Sequence, residues 1–302
     1  MPAVSSRGVF EIVGKTPLVK LERIVPEGCA EIWAKLEARN PSGSVKDRPA
    51  LAMILAAEQA GELGPGATIV EATSGNTGIS LAMLAAVRGY RCALVMPEDM
   101  STARQAILRA YGADLVLTPA EHGMRGAVEQ AEKLLAQTKQ SWMSRQFDNP
   151  ANPRVHEETT AVEIWEATEG KLDAFVAGVG TGGTLTGVTR GLRARGVSPK
   201  IYAVEPRSSA VLSGGKPGLH GIQGLGAGFV PRVLDRSLID DVIAVSDPEA
   251  ERMAARLARE EGLYVGPSSG ANVHAALKVA TAMRSGERVV TILCDTGERY
   301  NF

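Results

Sequence analysis

The chain has 302 residues, 44% apolar and 22% charged, with 33 basic and 34 acidic side chains and a formal net charge of −1. That length and apolar fraction can bury a large core and predict two domains or one large α/β unit. The interspersed, balanced charges give no electrostatic footprint for nucleic acid or an anionic membrane, and no apolar run approaches the roughly 20 residues that span a bilayer. The N-terminal Met1-Pro2-Ala3-Val4-Ser5-Ser6-Arg7 lacks an apolar signal core, so a cytoplasmic location is expected. Cys29, Cys92 and Cys294 are odd in number and without CxxC spacing, which argues against a disulfide framework or a zinc site. His122, His156, His220 and His274 are scattered singly, so no metal is expected.

Short β-branched runs at 31–36, 67–71, 92–96, 114–117, 173–179, 200–204, 242–245 and 289–293 read as strands. Helical patterns lie between them at 49–60, 77–88, 101–111, 123–138, 157–168, 184–195, 248–261 and 271–284. The alternation predicts mostly parallel, doubly wound open sheets, which bind ligands where strand ends lead into helix starts. Asn149-Pro150-Ala151-Asn152-Pro153 breaks a helical pattern and is the candidate linker, placing a domain boundary near 150. A cleft between two such halves is the expected place for a small ligand.

Lys46 stands in Asn40-Pro41-Ser42-Gly43-Ser44-Val45-Lys46-Asp47-Arg48, just before Pro49 and an apolar helical run. Proline fits only the first turn, so the helix must start close to Lys46. A helix start is unwelcoming to a cation, and it suits an amine that acts as a nucleophile. Further along, Thr73-Ser74-Gly75-Asn76-Thr77-Gly78 follows a strand and opens a helix, an arrangement that suits a carboxylate or phosphate; a plain capped turn is the competing reading.

Gly178-Val179-Gly180-Thr181-Gly182-Gly183-Thr184 has four glycines for close backbone approach and two threonine hydroxyls, and a phosphate is its expected guest. The same segment satisfies a dinucleotide fingerprint, with Glu205 ending the next strand about 25 residues later, so NAD is a rival guest. Gln223-Gly224-Leu225-Gly226-Ala227-Gly228-Phe229 and Gly266-Pro267-Ser268-Ser269-Gly270 read as two more strand-to-helix loops. Ser268 could partner the ring nitrogen of a pyridoxal cofactor.

Lys46 in its NPSGSVKDR segment, TSGNTG at 73–78, GVGTGGTLTG at 178–187 and GPSSG at 266–270 resemble, in order and spacing, the cysteine synthase (O-acetylserine sulfhydrylase) family. The likeness runs from Gly14-Lys15-Thr16-Pro17-Leu18 to Gly297-Glu298-Arg299-Tyr300. It implies the tryptophan synthase β-subunit-like fold of β-family (fold type II) pyridoxal-phosphate enzymes: two doubly wound α/β domains with the active site in the interdomain cleft. A smaller mobile N-terminal domain at 40–150 would hold the substrate carboxylate, and 1–39 with 151–302 would form the larger cofactor-anchoring domain. The resemblance makes Lys46 the Schiff-base lysine and acid/base, Asn76 a neighbour of the cofactor 3′-oxygen, Gly180, Thr181, Gly182, Gly183 and Thr184 the phosphate cradle, and Ser268 the partner of the pyridine nitrogen. Thr73, Ser74, Gly75 and Thr77, with Gln146 of Gln146-Phe147-Asp148-Asn149-Pro150, would hold the substrate α-carboxylate, and Gly224 would line the closing cleft.

The implied cofactor is pyridoxal 5′-phosphate and the implied reaction is β-replacement. O-acetylserine loses acetate to give an α-aminoacrylate, which sulfide converts to cysteine. O-phosphoserine or serine as first substrate, thiosulfate as sulfur donor, and short cystathionine β-synthase activity are the alternatives. Arg207 and Arg125 are the arginines by which an anionic leaving group could be met. SGSVKDR is like the B-type isozyme, whereas His220-Gly221-Ile222-Gln223-Gly224-Leu225-Gly226-Ala227-Gly228-Phe229 is like the A-type. Relatives also imply a homodimer and, for the A-type, capture of the C-terminal tail of serine acetyltransferase in the carboxylate loop.

Overall fold

The computed structural model describes residues 8–73 and 75–300. In chain order the elements are β1 (Leu18–Leu21), β2 (Glu31–Leu36), α1 (Asp47–Gln59), β3 (Thr68–Ala72), α2 (Asn76–Arg88), β4 (Arg91–Pro97), α3 (Thr102–Ala110), β5 (Asp114–Thr118), α4 (Gly123–Gln137) and β6 (Ser141–Trp142). There follow α5 (Ala151–Val155), a π-helical turn (His156–Thr160), α6 (Ala161–Thr168), β7 (Ala174–Gly178), α7 (Gly183–Arg193), β8 (Lys200–Pro206), β9 (Asp241–Val245), α8 (Asp247–Glu261), α9 (Pro267–Thr281) and β10 (Arg288–Leu293). Contacts divide the chain into two compact units, one made of 8–13, Asn40–Ser42 and Lys46–Ala151, the other of Gly14–Arg39, Gly43–Val45 and the chain from Asn152 onward.

The first unit is built on a parallel sheet of order β5-β4-β3-β6. Strand alternation sends Ile69 and Leu94 to one face, where they pack with Met53 and Ile54 of α1 and Leu81 and Leu84 of α2. Val70 and Val95 face the other side, against Ala127 and Ala131 of α4. With helices on both faces, the strands read as continuous apolar runs.

The second unit carries a six-stranded sheet of order β1-β2-β10-β7-β8-β9, parallel except for the edge strand β1. Val176, Val204 and Val289 pack on one face with Leu257 of α8 and Val273 of α9. Phe175, Ile201 and Val290 pack on the other with Leu185 and Val188 of α7 and Ile164 of α6. Gly187 lets α7 lie backbone against backbone on α5 and the π turn, since a Cβ there would stand 2.0 Å from the Pro153 carbonyl oxygen. Lys35, fully buried on β2, donates to the Thr16 carbonyl, to the Thr16 hydroxyl at 2.7 Å and to Glu163 at 2.6 Å. This buried pair anchors the Gly14-Lys15-Thr16-Pro17 segment.

All the strands expected from sequence are present, and β1 and β6 join them. β6 has two residues, too few for a periodic signal. The supposed helix-breaking linker instead contains the start of α5: Pro153 is its third residue, in the first turn, where proline's missing N–H has no intrahelical use. The Gly266–Gly270 segment is likewise helix from Pro267 onward, with the proline at the first position, rather than a loop ahead of a helix at 271. The 223–229 segment leads into no helix. It lies in an irregular stretch between β8 and β9 that holds only short 3-10 turns, and Gly224, Gly226 and Gly228 there have positive φ.

Glu71, 5% exposed on β3, accepts hydrogen bonds from the Ser144 N–H at 3.0 Å and from its hydroxyl. Burial pushes its carboxyl up to about 7 against those donors. The nearby Cys92 thiol is pushed up to about 12, first by burial and then by the charges of Glu71 and Asp114, which makes it an inert packing thiol. The unfolded Glu71 releases its proton near the ordinary 4.5 but the folded one only near 7, so the folded state holds more protons between these values. Stability therefore falls as pH rises through that window, by up to about 3 kcal/mol. Glu71→Gln is expected to flatten this dependence and raise the melting temperature more at about pH 8 than at about pH 5; thermal unfolding at the two pH values checks it.

Candidate functional site

In the first unit Lys46 is the N-cap of α1, and its carbonyl accepts from the Ala50 N–H at 3.0 Å. Pro49 is the third helical residue, within the first turn as expected. Asp47, the first helical residue, is completely buried. Its carboxylate accepts from the Ser42 N–H at 2.7 Å, from the Ser42 hydroxyl, and from the Ser80 hydroxyl at 2.6 Å. Ser80 lies on α2 one turn beyond Asn76, with its oxygen 3.0 Å from the Asn76 carbonyl. The start of α1 is thus tied to the start of α2.

The N-cap of α2 is Gly75, which brings no side-chain acceptor to the first-turn N–H groups. The Gly75 N–H donates to the Thr73 hydroxyl at 3.2 Å, and the Thr77 hydroxyl donates to the Gln146 carboxamide oxygen at 2.7 Å. Gln146 is brought there by Arg145, held at φ 49°, a left-handed conformation uncommon for a bulky residue. The Asp148 and Asn149 N–H groups close that turn on the Arg145 carbonyl at 2.8 and 3.0 Å. Thr73, Gly75, Asn76, Thr77, Gln146 and Lys46 therefore belong to one unit, and Ser74 lies outside the described residues.

In the second unit the glycine segment runs from the end of β7 into α7, whose N-cap Gly182 has φ 83° and no side chain to cap with. Apart from the Gly183 N–H, which the Thr181 hydroxyl takes, the start of the helix and its dipole face an anion favourably. Thr181 accepts from the Asn152 side-chain amide at 3.0 Å and from the Gly183 N–H at 3.3 Å. The Thr184 hydroxyl is 3.3 Å from His156 Nε2, and His156 Nδ1 is 2.9 Å from the Thr160 hydroxyl. His156 opens the π turn, a local widening often found at functional sites.

Gly180 lies against Gly224: a Cβ on Gly180 would stand 2.1 Å from the Gly224 carbonyl oxygen, and one on Gly224 would stand 3.8 Å from Ser268 Oγ. Gly180, Gly224 and Ser268 are thus neighbours. Ser268, 3% exposed, sits in the first turn of α9 behind the N-cap Gly266. A glycine-lined helix start with two oriented hydroxyls and a buried neutral hydroxyl nearby matches the phosphate and ring nitrogen of pyridoxal phosphate. The donor set fits the group.

Glu205 does not serve a dinucleotide. It is 2% exposed, and its carboxylate accepts from the Leu212 N–H at 2.7 Å, the Ser213 N–H at 3.1 Å and the Ser213 hydroxyl at 2.5 Å. Arg207 is paired with Glu249 at 2.9 Å. That carboxyl is held down to about 2, chiefly by the Ser246 N–H. Arg125, 86% exposed, is 3.9 Å from Glu129. Sequence reasoning passed over Ser42, Asp47, Ser80, Asn152 and His156. Asp47 adjoins Lys46 and could have been flagged as an acidic residue in a first turn, with Ser42 close before it; Ser80, Asn152 and His156 meet Asp47, Thr181 and Thr184 only through tertiary folding. Among the described residues, no cluster of three or more His, Cys, Asp or Glu could hold a metal, and no helix is long and apolar enough to cross a membrane.

Residues 9–295 match the family model described as pyridoxal-phosphate dependent enzyme. The chain is 50% identical over 293 residues to a cysteine synthase of Staphylococcus aureus strain Mu50, covering 97% of this chain and 94% of that one. Among solved structures, an O-ureido-L-serine synthase superposes with a TM-score of 0.94 at 47% identity, covering 99% of this chain and 94% of the other. A cysteine synthase from Entamoeba histolytica gives 0.93 at 41% identity, covering 99% and 92%. With its doubly wound parallel sheets and glycine-capped helix starts, the chain belongs to the pyridoxal-phosphate dependent enzymes, in their cysteine synthase family.

Proposed function

We propose that this chain is a cysteine synthase, converting O-acetylserine and sulfide to cysteine and acetate with pyridoxal 5′-phosphate. The observation that carries the reading is 50% identity to a cysteine synthase across 97% of the chain. The Lys46 and Gly180–Thr184 half-sites support it. Bound pyridoxal phosphate supplies a carbonyl for amines and an electron sink for the substrate carbon. Lys46 would hold the cofactor by its carbonyl carbon, and its freed amine would take the proton from substrate Cα and return it. Gly180, Thr181, Gly182, Gly183 and Thr184 would hold the phosphate, Ser268 would meet the ring nitrogen as a neutral hydroxyl, and Asn76 would meet the 3′-oxygen. Thr73, Ser74, Gly75, Thr77 and Gln146 hold the substrate carboxylate on α2's first turn. At substrate Cβ the bond to the acetate oxygen breaks and the bond to sulfur forms.

In this reading residues 40–150 are the substrate-carboxylate domain, 1–39 and 151–302 are the cofactor domain, and the enzyme works as a cytoplasmic homodimer. The same carboxylate site would take a serine acetyltransferase C-terminus, and competition between a synthetic tail peptide and O-acetylserine tests that part. A second reading, with an oxygen nucleophile in place of sulfide, is favoured by the 47% identity to an O-ureido-L-serine synthase.

The nucleophile is tested by offering sulfide, thiosulfate, homocysteine and hydroxyurea with O-acetylserine, O-phosphoserine or serine. The proposal expects kcat/KM for sulfide with O-acetylserine to exceed every other pair by at least about tenfold; faster reaction with hydroxyurea would establish the second reading. Gln146→Ala is expected to raise KM for O-acetylserine by about tenfold or more, from the loss of a hydrogen bond to a charged group, with cofactor retention unchanged. Gly180→Ala should do the reverse. Its Cβ displaces backbone rather than a flexible side chain, so the purified protein should lose cofactor absorbance.

A further inference from the structure

Lys46 has a long, flexible side chain, and an amine used first as a nucleophile and then as a proton carrier must start from a fixed backbone. The buried Asp47 carboxylate beside it gathers donors from two other pieces of chain. The Ser42 N–H reaches Oδ2 at 2.7 Å, and the Ser42 and Ser80 hydroxyls both reach Oδ1, the latter at 2.6 Å. The two hydroxyl oxygens are 3.3 Å apart. Asp47 also stands at the first helical position of α1, where the helix dipole favours a carboxylate. Ser80 in turn packs its oxygen 3.0 Å from the carbonyl of Asn76.

We propose that Asp47 is a positioning residue: through Ser42 and Ser80 it locks the backbone of Lys46 and the Asn76 end of α2 into one rigid frame, so that the lysine amine is presented to the cofactor carbonyl. This rests on the reading of Lys46 as the cofactor lysine. The carboxylate is completely buried and accepts from Ser42 and Ser80. Its effect is on how fast the Lys46 nitrogen replaces the aldehyde oxygen, which leaves as water, and it has no part in holding the phosphate.

The experiment compares wild type, Asp47→Asn, Ser80→Ala and Met53→Ala. Met53, 1% exposed in the core of the same helix, serves as a stability control outside the network. Each protein, stripped of cofactor, is measured for melting temperature, for affinity to pyridoxine 5′-phosphate, which has the phosphate and ring but no carbonyl, and for the rate of attachment of pyridoxal phosphate. Pyridoxine phosphate affinity is expected to stay within about twofold in all four, while attachment slows about tenfold in Asp47→Asn and about threefold in Ser80→Ala. A fifth protein combining Asp47→Asn with Ser80→Ala should attach no more slowly than Asp47→Asn alone, because both changes break one network. Met53→Ala should melt earlier and attach at the wild-type rate. Attachment that tracks melting temperature across all variants, Met53→Ala included, overturns the proposal alone. If Asp47→Asn does not fold, Ser80→Ala decides by the same comparison. Borohydride reduction and peptide mapping of the wild type separate the two ideas, since label on a lysine other than Lys46 overturns the reading and the proposal together.

Discussion

The proposed chemistry depends on helix starts whose N-caps are glycines, which leave first-turn N–H groups open. Parallel strands running into helices aim those N–H groups and the positive ends of the helix dipoles at the carboxyl edge of each sheet. α2 and α7 follow β3 and β7 and begin behind Gly75 and Gly182, and α9, which follows α8, begins behind Gly266; none of these can supply a side-chain acceptor. Two helices without assigned site residues are closed by side chains instead: Ser101 accepts from the Arg104 N–H at the start of α3, and Ser246 pairs with Glu249 at the start of α8. Glycine caps leave donors for anions, and the guests proposed for them are a phosphate and a carboxylate.

Once the donors face outward, the supporting contacts decide their precision. Asn152 and His156 orient the Thr181 and Thr184 hydroxyls, the left-handed Arg145 delivers Gln146 to Thr77, and Asp47 fastens the lysine-bearing helix start to α2. These contacts are polar and buried or partly buried, and each fixes a group that would otherwise sample several rotamers. Proton transfer and amine exchange both fail quickly with small misplacements, which gives such supports a direct effect on chemistry.

The sheets were legible because a strand buried on both faces is a continuous apolar run, as in Ala174–Gly178, and each run is bounded by a helical pattern of ordinary length. The glycine loops at 73–78 and 178–184 were legible because each joins a strand to a helix, whereas 223–229 leads into no helix and 266–270 follows α8 rather than a strand. Proline misled twice. Pro153 and Pro267 read as punctuation between elements, yet both occupy first turns, where their missing N–H is harmless. The supports were hidden for a different reason: Ser42 and Ser80 are 38 residues apart, and His156 and Thr184 are 28 apart, with nothing local to pair them. Glu205 shows the opposite error, for its spacing suits a ribose while its carboxylate is consumed by Leu212 and Ser213.

The central claim is that Lys46 removes and returns the substrate Cα proton while the β-substituent is exchanged. The most direct measurement runs the reaction of O-acetylserine with sulfide in deuterium oxide and reads the Cα position of the cysteine formed by NMR and mass spectrometry. A lysine ammonium exchanges its protons with solvent, so the account predicts cysteine mostly deuterated at Cα, and no such product from Lys46→Ala. Cysteine that keeps its original Cα proton would mean direct displacement at Cβ, and would contradict the account.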